Sequence, residues 1–291
     1  MSLQSQVEAG KFVVTAEVGP LKGTDTTEIN EVAELLGGRA DAVNVTDQQS
    51  SVMRLGSLAA CHLLKERGLD PVFQLTCRDR NRIALQSDLL SAYVLGINNV
   101  LSITGDLPVL GDHPQAKPVY DLDSVQLLWV IKRLNEGYDM GGNELKGKPN
   151  FFPGAVINPG ADTEVAFELQ IIKMEKKIAV GAKFFQTQAV FDLDVLAKFM
   201  RRVEGFNVPI LAGVIPLKSV GMARFMNKNI AGISIPEELI DKMSKTEDKV
   251  RTGLEIAANT IRELKDMCQG VHIMAMGWER KVPAMLDAAG L

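Results

Sequence analysis

Eight apolar runs rich in β-branched residues, a helix-period segment after each, and no linker-like change of composition predict one α/β fold. It is a single (β/α)8 TIM barrel with extra helices before strand eight. Strands buried on both faces read as continuous apolar runs rather than alternating ones, which is the pattern here. A doubly wound open sheet is the competing arrangement of the same units. The 291 residues suit one barrel or two smaller domains, and the unbroken βα repetition argues for one domain over residues 1–291.

The run Phe12-Val13-Val14-Thr15-Ala16-Glu17-Val18 stops at Gly19-Pro20 and predicts strand one, and a helical pattern follows from Thr26 to Leu36. Strand two is expected over Ala42 to Thr46, with a helix from Ser51 to Glu66 ended by Gly68. Pro71 to Cys77 reads as strand three, and Arg80 to Leu95 as its helix. Asn98 to Ser102 leads strand four into Ile103-Thr104-Gly105-Asp106-Leu107-Pro108 and a long loop, after which a helix is expected from Asp123 to Asn135. Pro153 to Pro159 predicts strand five and Asp162 to Val180 a long helix; Lys183 to Gln188 predicts strand six and Leu193 to Val203 its helix. Pro209 to Pro216 gives strand seven. Helices over Lys218 to Asn227, Pro236 to Lys242 and Glu247 to Cys268 precede strand eight, Val271 to Met276, and Pro283 to Ala289 closes the chain.

Composition excludes several functions. A net charge of −4 argues against a nucleic-acid footprint, which needs clustered Lys and Arg. The basic groups at 173–177 and 201–202 read as solvated helix faces. No run is long and apolar enough for a membrane span, and the N-terminus has no signal-peptide pattern. Cys61, Cys77 and Cys268 are scattered, which fits a reducing cytoplasm and no cluster motif.

In a barrel of this kind the site lies at the C-terminal strand ends. The polar residues expected there are Glu17, Thr46, Asp47, Gln74, Thr76, Asp106, Asn158, Gln186 and Gln188. Glu17 interrupts an apolar strand, where desolvation would raise its pKa and make it a proton donor. Asp106 either caps its own turn or faces the site; Gln188 either serves a ligand or satisfies hydrogen bonds inside the barrel. His113 is the histidine best placed for a ligand, His62 reads as a surface group, and His272 is expected at the wrong end of the barrel. The late methionines, Met222, Met226, Met274 and Met276, read as core filler. Neither a dinucleotide-binding glycine fingerprint nor a P-loop nor a nucleophile elbow is present.

The motifs Ala16-Glu17-Val18-Gly19-Pro20, Gln74-Leu75-Thr76-Cys77, Thr104-Gly105-Asp106-Leu107-Pro108, Thr187-Gln188 with Phe191-Asp192, and Gly213-Val214-Ile215-Pro216 occur in one register over nearly the whole chain. In that order and spacing they resemble the methylenetetrahydrofolate reductases. Gly111-Asp112-His113-Pro114 and Val119 to Ser124 resemble the Gram-positive and anaerobe type, including reductase halves fused to a homocysteine methyltransferase. The resemblance implies a flavin- and folate-binding barrel that reduces 5,10-methylenetetrahydrofolate to 5-methyltetrahydrofolate in one-carbon metabolism and methionine biosynthesis. It implies Glu17 as general acid, Asp106 as the carboxylate serving pterin and flavin, and Gln188 and Arg280 as substrate contacts. Thr46, Gln74, Thr104, Gly105, Asp106, Tyr120, Asp121, Asn158 and Lys177 are implied as flavin contacts.

Gln74 stands where the enterobacterial pattern has a flavin-contacting His, Thr104 where an Arg precedes Gly-Asp, and Trp278 where a substrate-binding Arg is expected, with Arg280 two residues on. FAD and FMN both stay open as cofactor, as do NAD(P)H and an iron-sulfur partner subunit as electron donor. A homo-oligomer is expected, and no metal site. The competing functions are a pterin-binding barrel methyltransferase and a folate-binding subunit of an electron-transfer complex.

Overall fold

The β-branched runs form strands because each is apolar on both faces and can be buried only inside a closed sheet wrapped by helices. In the computed structural model, which describes residues 1–161 and 163–291, eight parallel strands pair in chain order and the last closes on the first. They are β1 (Val13–Val18), β2 (Ala42–Val45), β3 (Pro71–Thr76), β4 (Asn99–Ile103), β5 (Phe152–Ile157), β6 (Phe184–Ala189), β7 (Ile210–Val214) and β8 (Gly270–Ile273). A helix, α1 (Leu3–Glu8), precedes the barrel. The helices α2 (Thr27–Leu36), α3 (Ser57–Glu66), α4 (Arg82–Val94), α5 (Ser124–Glu136), α6 (Glu164–Ala179) and α7 (Leu193–Val203) follow β1 to β6 in turn. Between β7 and β8 lie α8 (Val220–Asn229), α9 (Glu237–Lys245) and α10 (Lys249–Leu264), and α11 (Val282–Ala289) ends the chain.

Local chemistry fixes the boundaries that matter to the site. Asn81 caps α4 by accepting from Ile83 N and Ala84 N, both at 3.1 Å. Asp123 and Gln126 form a reciprocal capping box that opens α5 at the barrel mouth. Gly137 ends α5 with φ +96°, a conformation costly for any residue with a β-carbon.

Below the site the interior is apolar. Val13, Ala42, Val72, Leu101, Phe152, Phe184 and Leu211 fill one layer, with the Phe152 and Phe184 rings stacked at 5.2 Å between centroids. Leu3 of α1, fully buried, belongs to the same layer. It is held there by its own N–H, which donates to Asp70 Oδ2 at 2.8 Å. The outer core between strands and helices is continuous, and α8 and α9 gather a second cluster that contains Met226 and Met243, with Met222 and Met274 against it. No helix among the described residues is long and apolar enough to cross a membrane.

Several expected boundaries move. The helix expected from Ser51 begins at Ser57, because Gln48, Ser50 and Ser51 are left-handed and cannot continue a helix turn. The short polar stretch of α1 carries no periodicity long enough to be read. Strand eight ends at Ile273 rather than Met276, whose φ is +52°, and α10 stops at Leu264 rather than Cys268. The expected helix start at Asp162 lies outside the described residues.

Leu3→Ala removes the side chain that α1 contributes to the apolar layer, a truncation that costs about 2–4 kcal/mol at a fully buried leucine. The urea midpoint of the variant is expected to fall accordingly, and an unchanged midpoint would show that α1 does not support the barrel.

Candidate active site

The C-terminal ends of the strands open into a cavity of about 830 Å3. Its walls come from β1 to β6, the loops after β2 and β4, the start of α5 and one face of α6.

Glu17 projects from the penultimate position of β1, and its side chain is only 12% exposed. Gln49 Nε2 donates to Oε1 at 3.4 Å and Gln74 Nε2 donates to Oε2 at 3.3 Å. His272 Nε2 lies 3.6 Å from Oε2, and its Nδ1 is 3.0 Å from Thr15 Oγ1. Thr15 in turn accepts from Gln186 Nε2 at 3.2 Å, and Gln186 and Asn44 exchange two amide hydrogen bonds of 2.8 and 3.1 Å. All four of these supporting residues are buried. His272 is therefore not at the wrong end of the barrel. Strand stagger pairs Thr15 with His272 in register and brings the imidazole directly beneath Glu17.

Asp106 lies just beyond β4 and lines the same cavity. The hydrogen bonds that reach it, from Ser51 Oγ and from the Tyr120 hydroxyl, both 2.9 Å, go to its backbone carbonyl. Its carboxylate does not cap the turn; the loop is held by main-chain contacts instead. A β-carbon on Gly111 would collide with the Ser51 carbonyl, Met53 N donates to Asp112 Oδ1 at 3.0 Å, and Lys22 pairs with Asp112. The two mouth loops are thus locked together. Buried Arg78 joins them, donating to the Gln48 carbonyl at 3.3 Å and Ser51 Oγ at 3.2 Å on the β2 side and accepting from Val119 N at 2.8 Å on the β4 side. Asp47 has a structural task, accepting from Thr76 N, Thr76 Oγ1 and Arg80 at 2.7–3.2 Å.

The α6 wall carries cations. Lys173, Lys176 and Lys177 share a helical face and line the cavity together with Gln170; Lys173 and Lys176 are solvent-exposed, as expected of a solvated face, and Lys177 is half-buried. Lys177 donates to the Val156 carbonyl at 2.6 Å. Burial lowers its pKa to about 8, with a further push from Lys173 against the pull of Asp123. On the β2 side, Thr46 is 2% exposed and its hydroxyl has no hydrogen-bond partner among the described residues. A buried hydroxyl without a partner costs free energy that a bound polar ligand would recover. An orphaned hydroxyl and a cationic helix face suit a polar cofactor bearing phosphate, and a flavin fits that donor set.

Eleven of the residues singled out from sequence line this cavity: Glu17, Thr46, Asp47, Gln74, Thr76, Thr104, Gly105, Asp106, Asn158, Lys177 and Gln188. Asn158 also ties the wall to the segment after α8, donating to the Ala231 carbonyl at 3.0 Å. Tyr120 and Asp121 lie behind the wall. Tyr120 clamps the Gly105 and Asp106 carbonyls, while Asp121 accepts from Arg82, which holds its carboxyl down at about 2. Arg280 is outside the cavity, exposed and paired with Glu31 of α2. His113 is also outside it and bonds to Asp112. Inside the barrel Gln186, not Gln188, satisfies the buried hydrogen bonds. Sequence reasoning missed His272, Gln49, Lys173 and Lys176; the i, i+3, i+4 lysine spacing was the signal for the last two.

A family model described as methylenetetrahydrofolate reductase matches residues 2–290. The chain is similar to methylenetetrahydrofolate reductase 2 of Schizosaccharomyces pombe, at 26% identity over 75% of this chain and 35% of that protein. It is also similar to the 5,10-methylenetetrahydrofolate reductase of Pectobacterium carotovorum, at 25% identity over 72% of this chain and 66% of that one. The chain thus spans about a third of the length of the fission-yeast relative. Among solved structures, a Clostridium thermocellum protein that binds two copies of 5-methyl-5,6,7,8-tetrahydrofolic acid shares the fold, with a TM-score of 0.67 and 17% identity over 99% of this chain and 98% of that one. With the family model matched over almost every residue, the chain belongs to the methylenetetrahydrofolate reductase family.

Proposed function

We propose that this barrel binds a flavin, FAD or FMN, together with a folate and reduces 5,10-methylenetetrahydrofolate to 5-methyltetrahydrofolate in the cytoplasm, as a homo-oligomer. Electrons come from NAD(P)H or from a partner protein such as an iron-sulfur subunit. The observation that carries the reading is the pairing of two unlike carboxylates on one cavity in a chain of this family. Glu17 is held among amides and an imidazole, whereas Asp106 leaves its carboxylate open. The Clostridium thermocellum neighbour supports it to the extent that a barrel of this fold can hold 5-methyltetrahydrofolate.

The chemistry needs both groups. Opening the imidazolidine ring of the substrate requires a proton at N10, and Glu17 Oε2 is the group that delivers it. Ring opening leaves a cation at N5, which the Asp106 carboxylate stabilises. Gln188, whose side chain is free of interior hydrogen bonds, orients the pterin. Thr46, Thr104 and the Gly105 backbone hold the cofactor against the strand ends, Asn158 closes the β5 side, and Lys177 with Lys173 and Lys176 binds its phosphate. The bound flavin supplies the hydride that reduces the methylene carbon.

Anaerobic addition of 5-methyltetrahydrofolate to the purified yellow protein is expected to bleach the flavin spectrum. A colourless protein that neither FAD nor FMN converts to a bleaching form would defeat the reading. Glu17→Gln should slow the folate half-reaction by at least about 100-fold, the scale of general acid catalysis, with flavin reduction by the electron donor spared. Equal loss of both half-reactions would remove Glu17 from its role. Asp106→Asn should slow the folate step and shift the flavin midpoint potential; a rate and potential like the parent protein would exclude Asp106.

Lys177 gives a pH prediction. A phosphate beside it favours the ammonium form and raises its pKa above about 8, so the stabilisation is full below that value and is lost as pH rises through the raised one. Flavin affinity measured by fluorescence quenching should weaken about tenfold from pH 7.5 to 9.5, one pKa unit of coupling. Lys177→Met should flatten that slope, and an unaltered slope would place the phosphate elsewhere.

A further inference from the structure

The outward side of α4 breaks the pattern of the barrel wall. A helix packed on a barrel buries one stripe and turns polar residues to water. α7 obeys this rule, with Leu196, Phe199 and Val203 buried and Asp194, Lys198, Arg201 and Arg202 exposed. α4 buries Leu85, Leu89 and Ala92 against the core, yet Ile83, Leu90 and Val94 make a second apolar stripe on its opposite face. Ile83 is 74% exposed and Val94 84%. With Ser87 they follow the i, i+4, i+7, i+11 spacing of a single helix face. Among the described residues, α2, α3, α7, α9 and α11 leave no large apolar side chain exposed. A helix that is apolar on both faces is one that is covered on both sides.

The stripe borders a groove of about 720 Å3, whose other lining residues are Asp139 and Leu145. These belong to the loop after α5, which is folded back on itself by a bridge between Tyr138 and Glu144. The loop is tied to α4 by Met140 N, which donates to Gln86 Oε1 at 2.8 Å. Trp129 of α5 borders the same loop and is also exposed.

We infer that this face is where two copies of the chain meet, α4 of each lying antiparallel in the groove of the other about a two-fold axis. The pattern is self-complementary, as an isologous contact requires. An axis through the middle of the stripe, between Ser87 and Leu90, sets Ile83 against Val94 of the second copy and Ser87 against its Leu90. The bulky leucine meets a small residue, and an Ile–Val pair closes each end. The stripe carries no charged side chain, so two copies meet without repulsion or a buried ion, and a partner selected by charge has no complement there. The antiparallel sense sets the positive start of each helix beside the negative end of the other. With the flanking loops and Trp129, two such faces, each about 20 Å long, cover on the order of 1,200 Å2, the area at which stable pairs begin. The inference rests on the homo-oligomer of the reductase reading but not on its chemistry, because the groove and the active-site cavity share no lining residue.

Sedimentation velocity on the intact protein tests it. The parent is expected at twice the chain mass. Ile83→Glu and Val94→Glu each put an unpaired charge in the contact and should lower the mass to that of one chain at unchanged circular dichroism, since both positions are exposed and Glu is a good helix former. Phe225→Glu, at an exposed position on α8, should leave the dimer whole. A parent of one-chain mass, its groove left to some other protein, would overturn the inference. So would an oligomer that both α4 variants leave intact.

The register is tested with Ser87→Cys and Leu90→Cys combined. The three native cysteines are buried, so mild oxidation should join two chains through the introduced thiols and give a double-mass band that a reductant removes. A dimer that forms no such band would overturn the antiparallel pairing. Bleaching by 5-methyltetrahydrofolate is recorded on the same parent sample. A dimer that does not bleach defeats the reductase reading alone, and a bleaching monomer defeats this inference alone.

Discussion

A closed eight-stranded barrel has no solvent inside, so any polar side chain in its interior must be satisfied by another. Thr15, Asn44, Gln186 and His272 meet that demand with one another and with the Val271 carbonyl. The band they form separates a dry layer, in which Phe152 and Phe184 stack with Leu3 packed among the same residues, from the wet cavity above. Each member has its donors and acceptors committed, so none can turn without orphaning a neighbour. Glu17 stands on this band, and its position follows from it: two residues beyond Thr15, on the same face of β1, with His272 already fixed by Thr15.

Asp106 is placed by the opposite strategy. It sits on a loop, where nothing inside the barrel can hold it, and its position depends on main-chain clamps. Ser51 and Tyr120 bind its carbonyl, Gly111 allows the loops to approach within reach, and Arg78 fastens the β2 loop from below. The β2 loop adopts left-handed φ at Gln48, Ser50 and Ser51 to do this. Such residues cost about 1–3 kcal/mol each when strained, and persist only where the surroundings over-determine them. The same loop carries Gln49 to Glu17. A single strained segment therefore touches the supports of both carboxylates, and movement of either loop would disturb the acid and the open carboxylate together.

How far the sequence reveals all this depends on range. The eight strands are legible because burial on both faces leaves a run such as Val43 or Leu101 little alternative, and their order follows from the βα repeat. The strand-end residues are legible by the same rule, which is why Glu17, Gln74 and Asp106 are found on one cavity. What is hidden depends on register and on loop conformation. Read along the chain, His272 is near the start of its strand; only the stagger of a closed barrel puts it level with Thr15. The helix expected from Ser51 fails because propensity cannot see that Ser50 and Ser51 are left-handed, with Ser51 packed against residues 106 and 111. Tyr120 and Asp121 carry motif resemblance, yet here they serve the loop and the start of α4 rather than the cavity surface. Arg280 pairs with Glu31 because the turn after β8 runs outward over α2.

The departure at Gln74 acquires a physical meaning from this geometry. With a histidine at that position, two titratable rings would flank the Glu17 carboxylate. An amide there donates to Oε2 without titrating, which leaves His272 as the one basic neighbour among the described residues. The α6 side of the cavity is built otherwise, with Asp106, Asp123 and three lysines that leave it net positive. Neutral donors around Glu17 and charged groups on the α6 wall keep the two regions electrostatically apart: adding or removing a charge at the α6 wall acts on Glu17 only across the open cavity, where screening is strong.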